Sequence, residues 1–196
     1  MEQSIPNTDQ LIHIRVVLGV VMGLSLARLL NGLAHFVQHP GKIRIYSVHI
    51  GWVLFLFLAV VHFWWFQFSL IYISHWTFEH YIFVIMYAAL FFFICALLFP
   101  DDMKEYSGFA DYFHSRQTWF FALLAALYAV DIIDTLAKGV EHFKNLGPEY
   151  PLRQAVMITL SIVAIFVKSR RFHLSFVTAA LAIQVLWIIQ YFQVLA

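Results

Sequence analysis

The chain has 196 residues, of which 62% are hydrophobic and only 12% charged, with a formal net charge of +1. Apolar runs of about 18 residues or more recur along it, which excludes an ordinary soluble domain and makes a lipid bilayer its solvent. The near-neutral charge, without a dense basic stretch, gives no footprint for nucleic acid, and the lone Cys95 supplies neither an intrachain disulfide nor a cysteine metal centre.

The opening MEQSIPNTDQ lacks the basic region of a secretory signal, so the first apolar helix is expected to be retained, with Asn7, Thr8 and Asp9 suited to capping it. Apolar windows then mark six spans, at about 11–37, 45–72, 81–99, 117–138, 152–167 and 174–195. The expected fold is therefore an all-α membrane protein, one integral domain over residues 1–196 built as a bundle of six transmembrane helices. The fifth span is short and holds Gln154, Thr159 and Ser161, which suits a helix lying against neighbours or thinning the bilayer. Between the second and third spans, Ser74 to His80 is the only break in a long apolar stretch and implies a tight helical hairpin.

Lysine and arginine set the orientation, because translocating them is disfavoured. One side holds Lys42, Arg44, Lys104, Arg116, Lys168, Arg170 and Arg171, and the other holds Lys138, Lys144 and Arg153, with Arg15 at its edge. The first side is expected to be cytoplasmic, which puts both termini outside. Its longest loop, Pro100 to Ser115, mixes acids with Phe109, Tyr112 and Phe113, and reads as an amphipathic segment in the headgroup layer or an ordinary connector. In the outer loop GVEHFKNLGPEYP, Gly147, Pro148 and Pro151 end one helix and start the next. There is a faint internal echo: His13-x-Arg15 and His114-x-Arg116 open the first and fourth spans, Tyr46-x-x-His49 and Tyr150-x-x-Arg153 the second and fifth. Three spans per half would make a duplication an inverted repeat, an arrangement many transporters use.

The charged residues inside the spans are the candidate site. Arg15 and Arg28 sit in the first helix, where a guanidinium that cannot deprotonate needs a partner or a water-filled cavity. Gly19, Gly23 and Ala27 form a small-residue row that lets another helix approach closely, while Arg28, Asn31 and His35 share one face. The fourth span answers with Asp131, Asp134 and Lys138 at the same spacing. Measured from span centres, Arg28 falls about 6 Å toward the cytoplasm, Asp131 about 5 Å and Asp134 about 9 Å outward, and Arg15 about 13 Å outward. Arg15 with Asp134 is the easy pair, and Arg28 with Asp131 needs a stretch or a water.

His62 falls at nearly the depth of Asp131, so the two are expected to form a titratable pair, with Asn31, His35 and His49 continuing a polar file toward the cytoplasm. A purely structural account, two buried ion pairs that fix how helices one, two and four dock, explains the same residues. Haem is the cofactor to consider, but His49 and His62 stand about 220° apart around the helix, and only a single site between His35 and His49 is left. No cofactor is expected. Metal binding by Asp101, Asp102, Glu105 and His114 is weaker still. Trp64 and Trp65 lie deeper than an interfacial belt, and either brace the polar file or fill space between helices. No nucleophile elbow, phosphate loop or zinc-protease spacing speaks for an enzyme.

The stretches from Gly23 to Ala34, Phe63-Trp64-Trp65, Leu98 to Asp102 and Arg170 to His173 resemble a group of small multi-pass proteins of proteobacteria with no assigned activity. That resemblance implies a bacterial inner-membrane location and transfers no binding or catalytic residue. The leading functional expectation is a small proton or ion transporter or channel using Arg15, Arg28, Asn31, His62, Asp131 and Asp134. The alternatives are a non-transporting sensor or scaffold docking a copy of itself or a membrane partner through Gly19, Gly23 and Ala27, and a haem-binding membrane protein.

Overall fold

The computed structural model describes residues 7–38, 45–73 and 76–191. The chain runs through α1 (Asn7–Gln38), α2 (Ser47–Phe66) with a 3-10 continuation (Gln67–Tyr72), α3 (Phe78–Ala96), α4 (Phe109–Ala137), α5 (Val140–Asn145), α6 (Glu149–Phe166) and α7 (Arg170–Tyr191). All but α5 are long and apolar enough to cross a membrane, in agreement with the expected six-span bundle. The fifth span, the most doubtful from its polar content, is an 18-residue helix, and its Gln154 and Ser161 point inward and are fully buried.

Element ends differ from the sequence expectations for local reasons. Helix α4 begins at Phe109, well before residue 117, because Asp111, Ser115 and Arg116 occupy its exposed side while Phe109, Tyr112 and Phe113 are buried. The second part of the Pro100 to Ser115 stretch is thus the first turns of a spanning helix, and residues 100–108 are an ordinary connector. The outer loop contains the short helix α5; Gly147, at φ +72°, ends that segment, and Pro151 sits in the first turn of α6, where no amide donor is needed. Thr77 caps α3 through the amide of His80. Ser74, His75, His39, Lys42 and Arg44, and the side chains of Asn7, Thr8 and Asp9, lie outside the described residues, so the hairpin's tip and the α1 cap do too.

In a membrane, helices associate through close packing and not through exclusion of water. The broadest pairings are α4 with α6, α1 with α3 and α2 with α7. Helices α1 and α3 run in parallel: His13 stacks on Tyr81 near one end, and Gly32 lies against the ring of Phe99 at the other. Helix α2 is the hub, burying Trp52, Phe55, Leu56 and Val60 among its neighbours. Around Trp52, the rings of Phe55, Phe120, Phe121 and Phe176 stand 5.1–5.5 Å away in edge-to-face contacts. This aromatic cluster fills the half of the bundle toward the α3–α4 loop.

The packing does not follow the sequence echo. Helix α1 lies along α3, whereas its counterpart α4 lies along α6, the second span of its half, without close backbone approach to α7. The echoed residues also make unlike contacts: Tyr46 meets His114, and Tyr150 meets Asp131.

Candidate functional site

Helices α4 and α6 run antiparallel, and each turns a polar stripe toward the other. On α4, Asp131, Asp134, Thr135 and Lys138 recur at helical spacing, and on α6 Tyr150, Arg153 and Gln154 do the same. Tyr87 Oη donates to Asp131 Oδ1 at 2.6 Å, Tyr150 Oη donates to Oδ2 at 2.8 Å, and Gln154 Nε2 also donates to Oδ2. Tyr150 spends its single proton on Asp131, so Thr135 Oγ1, 2.8 Å from Tyr150 Oη, is the donor of that second bond. Among the described residues, every hydrogen bond to the Asp131 carboxylate comes from a neutral group.

One turn on, Lys138 Nζ donates to Asp134 Oδ2 at 2.6 Å, with both side chains almost wholly buried. Burial and the nearby Lys138 charge together hold the imidazole of His142, on α5, below its ordinary pKa. Arg153 Nη2 donates to Gln184 Oε1 at 2.7 Å, and its guanidinium lies over the rings of Trp187 at 4.9 Å and Tyr128 at 5.5 Å.

These groups enclose a cavity of about 60 Å³ open to the centres of water molecules. At ~10–15 Å³ of such space per water, it has room for about four to six. His62, Gln67, Asp131, Arg153, Gln184 and Tyr87 border it, so α2, α3, α4, α6 and α7 contribute and α1 does not. Gln67 Oε1 is buried and accepts no hydrogen bond among the described residues.

The expected interior of helices one, two and four is therefore replaced by one centred on α4 and α6. Arg28 does not meet Asp131: its Nη2 donates to Phe99 O at 2.7 Å and to Asp101 Oδ1 at 2.6 Å, and the Asp101 side chain is 89% exposed. The physical reason is register. Parallel packing of α1 on α3 sets Arg28 level with the last turn of α3, at the edge of the apolar layer instead of near its middle. Arg15 does not meet Asp134: it reaches Phe68 O at 3.4 Å and lies over the Phe68 ring, while Asp134 takes the closer cation on its own helix.

Asn31 is exposed on α1, away from the cavity, and so is His35. His62 does share the cavity with Asp131, but no hydrogen bond joins them; the carboxylate accepts from Tyr87, Tyr150 and Gln154. The expected file does not continue to His49, whose Nε2 donates to Leu98 O at 2.6 Å and whose ring packs on Phe99 and Phe109. Trp64 and Trp65 brace no polar file; they are 50% and 42% exposed on the rim of the bundle, where Trp64 fills space between α2 and α1 against Gly19. The acids of the α3–α4 loop are drawn apart, Asp101 to Arg28 and Asp102 to Lys104, away from His114, which bonds Tyr46 and Gln117.

The small-residue row is not where this bundle closes up. An added Cβ at Gly23 would meet nothing within 4 Å, and Ala27 is exposed; Gly19 has only the edge of Trp64 near it. The tight positions are Gly32 against Phe99 and Gly51 against Val177. Missing from the sequence-derived site were Tyr87, Tyr150, Arg153, Gln154, Gln184 and Gln67. No family model, curated protein or solved structure matches the chain.

Proposed function

We propose that the chain is a small membrane transporter that moves protons, with the cavity around Asp131 as its working site. One observation carries this reading: among the described residues, the part-buried Asp131 borders a cavity beside His62 and is held there by neutral donors only. A carboxylate in that setting takes up a proton without breaking an ion pair. The added proton on Oδ1 needs only the Tyr87 hydroxyl to turn from donor to acceptor. Water between Asp131 and His62 then relays it to a second titratable group. Arg153 sets the local field. The aromatic cluster around Trp52 blocks the other half of the bundle, which favours a carrier that changes shape over a standing channel.

The exposed charge pattern supports a cytoplasmic α3–α4 loop, and the resemblance of the sequence to small proteobacterial multi-pass proteins points to a bacterial inner membrane. Lys138 is neutralised by Asp134 and Arg153 lines the cavity, so the opposite face carries fewer free loop cations than the sequence count suggests. Proton flux into proteoliposomes carrying an internal pH dye tests the main reading. Asp131→Asn is expected to abolish flux with expression and thermal stability close to wild type, and a folding collapse without a separable flux defect would overturn it.

A second reading, a sensor or scaffold that docks a copy of itself or a membrane partner through α1, draws on the outward-facing Gly23 and Ala27. It expects Gly23→Leu to remove a crosslinked complex. A lone monomer in nanodiscs, with no partner captured by crosslinking in native membranes, would end it.

A further inference from the structure

We infer that the Asp131 cavity binds a small zwitterion, its anionic end taken by Arg153 and its ammonium end by Asp131. This deepens the reading of the cavity as the working site and rests on it, but it does not depend on proton movement.

Two opposite charges border one cavity without closing on each other. Arg153 spends its hydrogen bond on Gln184, and Asp131 takes its bonds from Tyr87, Tyr150 and Gln154. Where an internal ion pair is wanted, this bundle makes one: Lys138 and Asp134 sit 2.6 Å apart one turn away. Arg153 and Asp131 are instead each fixed in place by neutral groups, Arg153 also by the faces of Trp187 and Tyr128. Opposite poles held apart in a low-dielectric enclosure suit a dipolar guest.

The same arrangement argues against simpler guests. A lone cation would face the Arg153 guanidinium, and a lone anion would face the Asp131 carboxylate. Gln67 adds an independent sign of a ligand: it is 2% exposed, borders the cavity, and its amide oxygen lacks a donor among the described residues. An ammonium beside Asp131 has N–H groups to offer it. Size is limiting. Space for about four to six waters corresponds to ~120–180 Å³ of liquid volume, which admits a guest the size of glycine or alanine and excludes one the size of tryptophan.

Calorimetry on the full chain in nanodiscs, with four near-isosteric probes, tests this. Glycine carries both charges, glycinamide only the ammonium, glycolate only the carboxylate, and glycolamide neither. Glycine is expected to bind, with each singly charged probe weaker by about tenfold or more and glycolamide and tryptophan silent. Arg153→Gln should weaken glycine by a similar factor and leave glycinamide no weaker or somewhat tighter, since a like charge facing it is removed, a difference that misfolding would not produce. Glycine binding no better than glycinamide or glycolate, or silence from all four up to roughly 10 mM, would overturn the inference. Glycine binding without proton flux retires the transport reading alone, and flux without discrimination among the probes retires this inference alone.

Discussion

Asparagine and leucine at Asp131 share the number and branching of their side-chain heavy atoms but should have very different consequences for the fold. In the wild-type bundle Oδ2 accepts from Tyr150 and Gln154, and Oδ1 accepts from Tyr87. Asp131→Asn keeps all three contacts if its amide oxygen takes the Oδ2 place, since its NH₂ then donates to the Tyr87 oxygen and the Tyr87 hydroxyl turns into the cavity that it borders. What is lost is charge assistance, worth about 1 kcal/mol, and the relief of burying a charge offsets part of it. Asp131→Leu removes the acceptors altogether. Gln154 is 0% exposed and becomes an orphaned donor, whereas Tyr150 keeps Asp131 O at 3.0 Å and the Tyr87 hydroxyl turns into the cavity. At ~1–3 kcal/mol for the orphaned amide and about 1 kcal/mol for each tyrosine bond lost, the total is about 3–5 kcal/mol. Titration with a denaturing detergent in mixed micelles, followed by tryptophan fluorescence, measures both. An asparagine variant as unstable as the leucine one, or a leucine variant within about 1 kcal/mol of wild type, would refute the assigned hydrogen bonds.

Lys138→Met should cost about 3–5 kcal/mol by leaving the Asp134 carboxylate buried and unpaired, and adding Asp134→Leu should restore most of it; a double variant no better than the single would contradict this in the same titration. Gly32→Ala drives a methyl into Phe99, itself packed between Phe36 and Phe109, and should cost about 1–3 kcal/mol, whereas Gly23→Ala should be neutral or slightly stabilising. Equal effects at the two glycines by thermal unfolding would count against the α1–α3 register. The depressed pKa of His142 means that the unfolded chain binds its proton more readily. Its contribution to stability is present above the ordinary histidine value of about 6.5 and is lost as pH falls through the lower folded value. The melting temperature should therefore drop on acidification through that window, and His142→Gln should blunt the drop.

The spans were legible because a bilayer demands long apolar helices, and that demand leaves a direct mark on composition. The pairings were not, because depth was taken from the centre of each span. Helix α1 has 32 residues, about 48 Å of helix against a hydrocarbon layer of about 30 Å, so its centre need not be the bilayer's. Arg28 consequently moved to the edge and found Asp101. The Asp134 partner is legible as the lysine four residues on, a pairing within one helical stretch that needs no assumption about depth. Tyr150, Arg153 and Gln154 also carried a signal, a polar stripe at helical spacing, which reads as weakness of the fifth span until the span is known to be buried on that face. Tyr87 gave none, since a tyrosine in an apolar helix is ordinary and only its packing shows what it serves. Gln67 follows α2 in a 3-10 turn, where helical spacing no longer tells which way a side chain points.

Infrared difference spectroscopy across a pH step probes Asp131 most directly, since a protonated carboxyl group absorbs apart from a carboxylate. Wild-type protein in nanodiscs should show a carboxyl band that grows on acidification, vanishes in Asp131→Asn and shifts in Tyr87→Phe. A band untouched by Asp131→Asn, or none at any pH at which the bundle stays folded, would contradict Asp131 as the group that takes up and releases the proton.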